Sequence, residues 1–251
     1  MAAAHWFDRK RFLLEADRVL RPGGCLALLS YTMDFELEYG GVSNTALNHI
    51  CEEYYTALRP FRNPHIGTSS MKIYSDLNEC VRVKRIMPLS GYIALVETFS
   101  TYQTLLQKNP AEAERLSNDT RTKTKLHPQD GGCHPACWNS PAQLEMALTT
   151  GPLTDTSTVH RNMAVRVFEG KAHAAAYLQY RITPDELISR IMSYMEKKTP
   201  NQFNLAVDVG CGSGQGTILL APYFTKVVGT DVSPAQLQMA LTNGCPPNVS
   251  Y

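Results

Sequence analysis

Two carboxylates and a run of glycines define the chemistry this sequence could support. Asp208 follows an apolar run (Leu205, Ala206, Val207), and Gly210, Gly212, Gly214 and Gly216 come after it at alternate positions. Glycine has no Cβ, so such a run can make a tight turn at positive φ and lets a ligand approach the backbone. Asp231 stands about twenty residues further on, after a second apolar run, where a carboxylate is placed to take two ribose hydroxyls. The dinucleotide fingerprint G-x-G-x-x-G is not met. The spacing is Asp208-x-Gly210-x-Gly212-x-Gly214, with an acid before the first glycine.

Regular elements must hold these groups. Leu205–Val207 reads as a strand buried on both faces of a parallel sheet. Thr217–Tyr223 is the expected helix, with its first N–H groups turned to the ligand. Lys226–Thr230 is the second strand, ending at Asp231. Ser233 caps a helix through Pro234 to Leu241, and Asn248–Tyr251 starts a third strand. Upstream, Phe168–Tyr180 is alanine-rich and helical. Thr183-Pro184-Asp185-Glu186 starts another helix, with Leu187, Ile188, Ile191, Met192 and Met195 as its apolar stripe.

This strand, glycine turn, helix, strand and acid resemble the first motif of the Rossmann-like S-adenosylmethionine-dependent methyltransferases. The resemblance implies that Asp208, Gly210, Gly212 and Gly214 line the methionine side of S-adenosyl-L-methionine. It places Asp231 on the ribose and Val232 on the adenine. It also makes the helix before Tyr180 a cover for the cofactor, with Tyr177, Tyr180 and Arg181 as lid residues or as ordinary packing.

A second resemblance to the same family lies at the other end of the chain. Residues 7–20 have helical spacing at Phe12, Leu13, Ala16, Val19 and Leu20. Arg21-Pro22-Gly23-Gly24 stops that helix, and Cys25–Tyr31 follows as an apolar strand. This looks like the family's helix and fifth strand, closest to the type-11, trans-aconitate-like branch. His5 and Trp6 would then fall near cofactor or acceptor, with His5 the nearest candidate for a base, or else belong to surface and core.

Residues 44–58 read as a helix with Leu47, Ile50, Cys51, Tyr54 and Leu58 on one face. Met71–Tyr74 and Val81–Ile86 are extended candidates. Met87–Gln103 mixes a turn at Ser90-Gly91 with an apolar helix, where Tyr92, Phe99 and Tyr102 either meet substrate or fill the core. Ala111–Arg121 is a polar helix fading into a solvated run. Residues 126–162 hold prolines and threonines without an apolar period, and read as a disordered linker. His127, Cys133, His134 and Cys137 within them match no zinc template.

The expected architecture is therefore α/β: a Rossmann-like sheet with helices on both faces, with its two halves in reversed order. Residues 1–125 resemble the C-terminal half, 126–162 join, and 163–251 resemble the N-terminal half. Either a circular permutant or parts of two tandem copies would give that order. Cys25–Tyr31 and Leu205–Val209 are expected in one parallel sheet. With no fourth or final strand in view, that sheet is incomplete, and its open edges invite self-association.

A net charge of +1 over 251 residues gives no sign of nucleic-acid or anionic-membrane binding. Seven scattered cysteines suit a reducing compartment. No apolar run approaches the ~20 residues that cross a bilayer, and charges at Asp8–Arg11 come too early for a signal peptide. The expectation is a cytoplasmic enzyme moving a methyl group from S-adenosyl-L-methionine to a small-molecule acceptor by in-line displacement. The alternatives are a non-catalytic cofactor-holding fragment and a dinucleotide enzyme, the latter disfavoured by the spacing.

Overall fold

The computed structural model describes residues 7–31, 36–39, 42–62, 79–125, 136–148, 168, 170–181, 185–198 and 203–251. His5, Trp6, Met71–Tyr74, His127, Cys133, His134, Met163 and Thr183 lie outside them.

The chain opens with helix α1 (Arg9–Val19), capped by the Asp8 carboxylate, which accepts the Arg11 N–H at 3.2 Å. It stops before Pro22, and Gly23 at φ 80° turns the chain into strand β1 (Cys25–Tyr31). Short strands β2 (Glu36–Tyr39) and β3 (Val42–Ser43) lead to helix α2 (Thr45–Leu58). Asn44 caps α2, and Leu47, Ile50, Cys51, Tyr54 and Leu58 are its buried face, as the periodicity predicts.

Strand β4 (Glu79–Met87) precedes three helices, α3 (Leu89–Glu97), α4 (Ser100–Lys108) and α5 (Pro110–Lys125). Ser90 and Gly91 lie inside α3 rather than in a turn; the break comes at Thr98-Phe99. The polar helix also runs on to Lys125, because Ser117, Thr120 and Thr124 are buried. Tyr92, Phe99 and Tyr102 are core residues of the cluster that α2 to α5 enclose. Inside it the Tyr54 and Ser117 hydroxyls lie 2.9 Å apart, and burial pushes the Tyr54 and Tyr92 phenols well up.

Within the stretch read as a linker, residues 136–148 instead form strand β5 (Ala136–Leu148), and the rest of 126–162 lies outside the described residues. The strand pairs antiparallel with β4 along one edge, and with β2 and then β1 along the other. Pairing on the second edge stops at Asn139 and resumes at Ala142. Pro141, which has no N–H to donate, sits at that break. The partners come from strands far away in sequence, so local composition does not reveal them.

Helices α6 (Lys171–Tyr180) and α7 (Asp185–Lys198) introduce the last unit. Strand β6 (Leu205–Val209), helix α8 (Gln215–Leu220), strand β7 (Lys226–Thr230), helix α9 (Pro234–Thr242) and strand β8 (Val249–Ser250) alternate as a βαβαβ unit. Its sheet is parallel, in the order β6-β7-β8. The architecture is thus mixed α/β, with a parallel sheet and helices.

The expectation of one shared sheet is overturned. β1 belongs to the other sheet, antiparallel to β5, with Cys25 opposite Leu148 and Tyr31 opposite Ala142. The two sheets meet through α7 instead. Its Leu187, Ile188, Ile191 and Met192 pack with Phe224, Val227 and Val249, and Ala27 and Leu29 of β1 touch the same cluster. Nor is β6 buried on both faces: Leu205, Val207 and Val209 are 55%, 54% and 44% exposed, while Val227 and Val249 on the covered side are buried. Crossovers of the usual right hand, running in one direction along β6-β7-β8, would put both helices on one face, which accounts for the exposed side chains on the other face of β6. Among the described residues β6 has a partner only in β7.

Candidate functional site

The glycine turn closes over the ends of β6 and β7. The Thr230 carbonyl accepts the Gly210 N–H at 2.7 Å and the Cys211 N–H at 2.9 Å, which draws the turn across the end of β7. Gly210, Gly212 and Gly214 have φ of 74°, 57° and 79°, a region that other residues rarely enter. Three residues with Cβ atoms could not follow this path without strain.

Asp231 is the centre of the arrangement. Its Oδ2 accepts the Gly212 N–H at 2.8 Å, and its Oδ1 accepts the Ser233 N–H at 2.8 Å. One carboxylate therefore ties the turn to the start of α9. Ser233 continues the link: its Oγ accepts the Gln236 N–H at 3.3 Å as the cap of α9 and donates to the Phe168 carbonyl at 2.8 Å. Asp208 acts from the other strand, accepting the Thr217 hydroxyl at 2.7 Å and so holding the first turn of α8.

The residues fit a nucleoside with an amino-acid arm. A carboxylate oxygen can accept two hydrogen bonds, and Asp231 is part-exposed, so its partners in the turn and cap leave capacity for a vicinal diol. Val232 beside it is 94% exposed, an apolar surface for a flat base. The Ser213 hydroxyl, fully buried in the turn, has no partner among the described residues and would meet a polar group there. Gly214 has a further, internal reason: Tyr251 packs on it, and a Cβ would collide with the phenol. Tyr251 lies equally close to Gly229. Burial raises the Tyr251 phenol and the Cys211 thiol each to about 12. Cys211 is accordingly inert.

Helix α6 joins this turn to the helical module. The Gln215 amide donates to the Leu178 carbonyl at 2.5 Å and to the Arg181 carbonyl at 2.8 Å, fastening the end of α6 to α8. The Arg181 guanidinium stands 4.4 Å from the Phe99 ring centre and 4.9 Å from that of Tyr177. Its Nε donates to Thr98 Oγ1 at 2.9 Å and a terminal nitrogen to the Thr98 carbonyl at 3.3 Å. Burial pulls it down to about 9, so it stays cationic at neutral pH. The Tyr177 phenol is raised by burial first, then by the charges of Asp231 and Asp208. Phe168, His173 and Tyr177 form a ring cluster, with centroids 5.4 to 6.2 Å apart.

Asp208, Gly210, Gly212, Gly214, Asp231 and Val232 thus lie along one turn and the strand end beside it. Of Tyr177, Tyr180 and Arg181, read as lid or packing, all three make packing contacts: Arg181 with Phe99 and Tyr177, Tyr177 with Phe168 and His173, and Tyr180 with the helical core. Thr217, Gln215, Ser213, His173 and Tyr251 were not singled out by their sequence. Only the capping pattern after Asp231 drew notice to Ser233. Among the described residues no cluster of ligating side chains could hold a metal ion.

Residues 207–251 match the family described as "Methyltransferase domain". A Dictyostelium discoideum protein named as a methyltransferase is 44% identical over 66 residues, 26% of this chain and 24% of its own length. The Saccharomyces cerevisiae protein CRG1, named as an S-adenosylmethionine-dependent methyltransferase, is 40% identical over 57 residues, 23% of this chain and 18% of its own. The chain spans about a quarter or less of the curated relatives it matches. A solved structure from Anaeromyxobacter dehalogenans, described as a type II methyltransferase, superposes with a TM-score of 0.42 at 17% identity, covering 58% of this chain and 61% of that one. The similarity to methyltransferases thus lies in the C-terminal segment, residues 207–251.

Proposed function

We propose that this chain binds S-adenosyl-L-methionine along residues 208–231 and takes part in methyl transfer to a small-molecule acceptor. The observation that carries the reading is the Asp231 carboxylate, held by the Gly212 and Ser233 N–H groups beside a turn at positive φ. Asp231 would hold the ribose, Val232 the adenine, and the turn from Gly210 to Gly214 the methionine end. Asp208 would act one step back, by fixing α8 through Thr217.

The bound sulfonium supplies an activated methyl group, so the protein's work is to place the acceptor in line with it and keep water out. Helix α6 is suited to that work, because it covers the turn and is anchored at both ends. Incubating the chain with methyl-labelled S-adenosylmethionine and a panel of small alcohols, phenols, amines and carboxylic acids tests the reading. Label in an acceptor supports it, and no label in any acceptor removes the enzyme.

The bare face and open edge of β6 favour a second reading, a cofactor-holding piece completed by another chain. That reading expects binding of the cofactor without turnover by the chain alone. The same edge supports self-association, since an unpaired strand with an apolar face is a template for another strand. No helix among the described residues is long and apolar enough to cross a membrane.

A further inference from the structure

Five buried side-chain polar atoms have no hydrogen-bond partner among the described residues: Thr101 Oγ1, His173 Nδ1, Ser213 Oγ, Gln215 Oε1 and Gln236 Oε1. Leaving such atoms unpaired is costly, so a native chain carries few without cause. These five are not scattered. Thr101 begins the helix after Thr98, and Thr98 binds both His173 and Arg181. Gln215 holds the Arg181 carbonyl, Ser213 is in the glycine turn, and Gln236 follows the Asp231–Ser233 link. His173 lies in helix α6, Gln215 is bonded to its end, and Gln236 stands in helix α9, which packs on it.

Two of them, the Thr101 and Ser213 hydroxyls, can donate or accept; the other three have one sign. The Gln215 and Gln236 amide oxygens can only accept. His173 can be assigned as well: its Nε2 lies 3.2 Å from the Thr98 carbonyl, which has no proton to give. Nε2 must therefore carry the hydrogen, and in the neutral ring Nδ1 is a bare lone pair. Three of the five orphans are thus acceptors waiting for a donor, and one of them is a base.

On the reading of the site as a methyl-transfer site, we infer that His173 Nδ1 is the general base that receives the proton of a hydroxyl- or amine-bearing acceptor, with Gln215 and Gln236 hydrogen-bonding further donors of the same molecule. As the acceptor atom spends its lone pair on the new bond to carbon, its O–H or N–H bond breaks and that proton goes to Nδ1. The positive charge lost when the carbon–sulfur bond breaks appears on the imidazolium, and the proton later leaves to water. The ring is prepared for this. Thr98 fixes its tautomer, and Phe168 and Tyr177 fix its orientation through ring contacts at 5.4 and 5.9 Å. Burial lowers its pKa from the ordinary value, against the pull of the Thr98 bond, and so favours the neutral ring.

The charges around it are the Arg181 guanidinium on the same carbonyl, the Glu97–Arg121 pair at the end of α3, Lys171 at the start of its own helix, and Asp231 and Asp208, whose charges act on Tyr177. Helix α9, which packs on α6, brings no charged residue.

His173→Gln is the informative variant, because its amide can still donate to Thr98 but cannot take a proton. Histidine-labelled full-length protein is examined by nitrogen NMR with and without S-adenosylhomocysteine, and labelled-methyl transfer is followed on the acceptor panel. The expected results are a neutral His173 with its hydrogen on Nε2, equal S-adenosylhomocysteine binding in both proteins, and transfer about 10²–10⁴-fold slower in the variant. The falling limb of the rate at low pH, present in wild type, should vanish. A hydrogen found on Nδ1, or transfer by the variant at the wild-type rate and pH profile, overturns the inference and leaves the cofactor site standing. Failure of the wild type to bind S-adenosylhomocysteine overturns the site itself, and binding without transfer to any acceptor removes the base together with the enzyme.

Discussion

Asp231 has two duties in one carboxylate, and substitutions separate them. Removing it leaves the Gly212 and Ser233 N–H groups without their acceptor. Asp231→Ala should therefore lose about 1–3 kcal/mol of stability even with no ligand present, since charge-assisted bonds to backbone are among the stronger ones. A urea midpoint unchanged from wild type would mean those bonds do not hold the turn. Gly212→Val isolates the turn itself. A β-branched residue at φ 57° is strained whatever its neighbours. The variant should keep its helical circular dichroism yet lose S-adenosylhomocysteine binding at least tenfold. Normal affinity would make the turn a connector and nothing more.

At the scale of elements, α6 is the joint between the turn and the helical module, and Arg181 is its pin. A lysine there keeps the charge, but it has neither the planar face that lies between Phe99 and Tyr177 nor the fork that reaches Thr98 twice. Arg181→Lys should raise amide exchange along 171–180, and unchanged protection would show α6 to be held by its other contacts. β6 carries the opposite kind of feature, an edge with no partner strand among the described residues. Val207→Lys should reduce self-association in sedimentation experiments, because an exposed lysine blunts an open edge. Equal association in the variant would move the contact elsewhere. The local elements were legible because their signals are local. The five-residue buried face of α2 follows from spacing, and the turn and Asp231 follow from residue type and interval. His173 was not legible: it stands in an alanine-rich helix, and its role comes from a carbonyl 75 residues away. Strand β5 escaped for the same reason, its partners lying in β1, β2 and β4.

For the whole molecule, the misplaced expectation was the joining of the halves. Both β1 and β6 are apolar, and apolarity alone says that a strand is covered, not by what. β1 took an antiparallel neighbour, and α7 came between the sheets. The buried thiols give this assembly an alkaline limit. Burial raises Cys25 to about 11, and Cys51 and Cys211 to about 12, from an ordinary 9. Above pH 9 the unfolded chain releases these protons and the folded chain keeps them. Stability is therefore whole below pH 9 and falls as pH rises through 9 to 12. Urea midpoints that hold constant from pH 8 to 10.5 would contradict this.

The central claim is that residues 208–231 hold S-adenosylmethionine or its demethylated product, and calorimetric titration of S-adenosylhomocysteine into the chain tests it most directly. The account predicts saturable one-site binding, no comparable heat with a nicotinamide dinucleotide, and an affinity loss of about 1–3 kcal/mol in folded Asp231→Ala. Absence of binding to the wild-type chain, or equal affinity in wild type and variant, would contradict it.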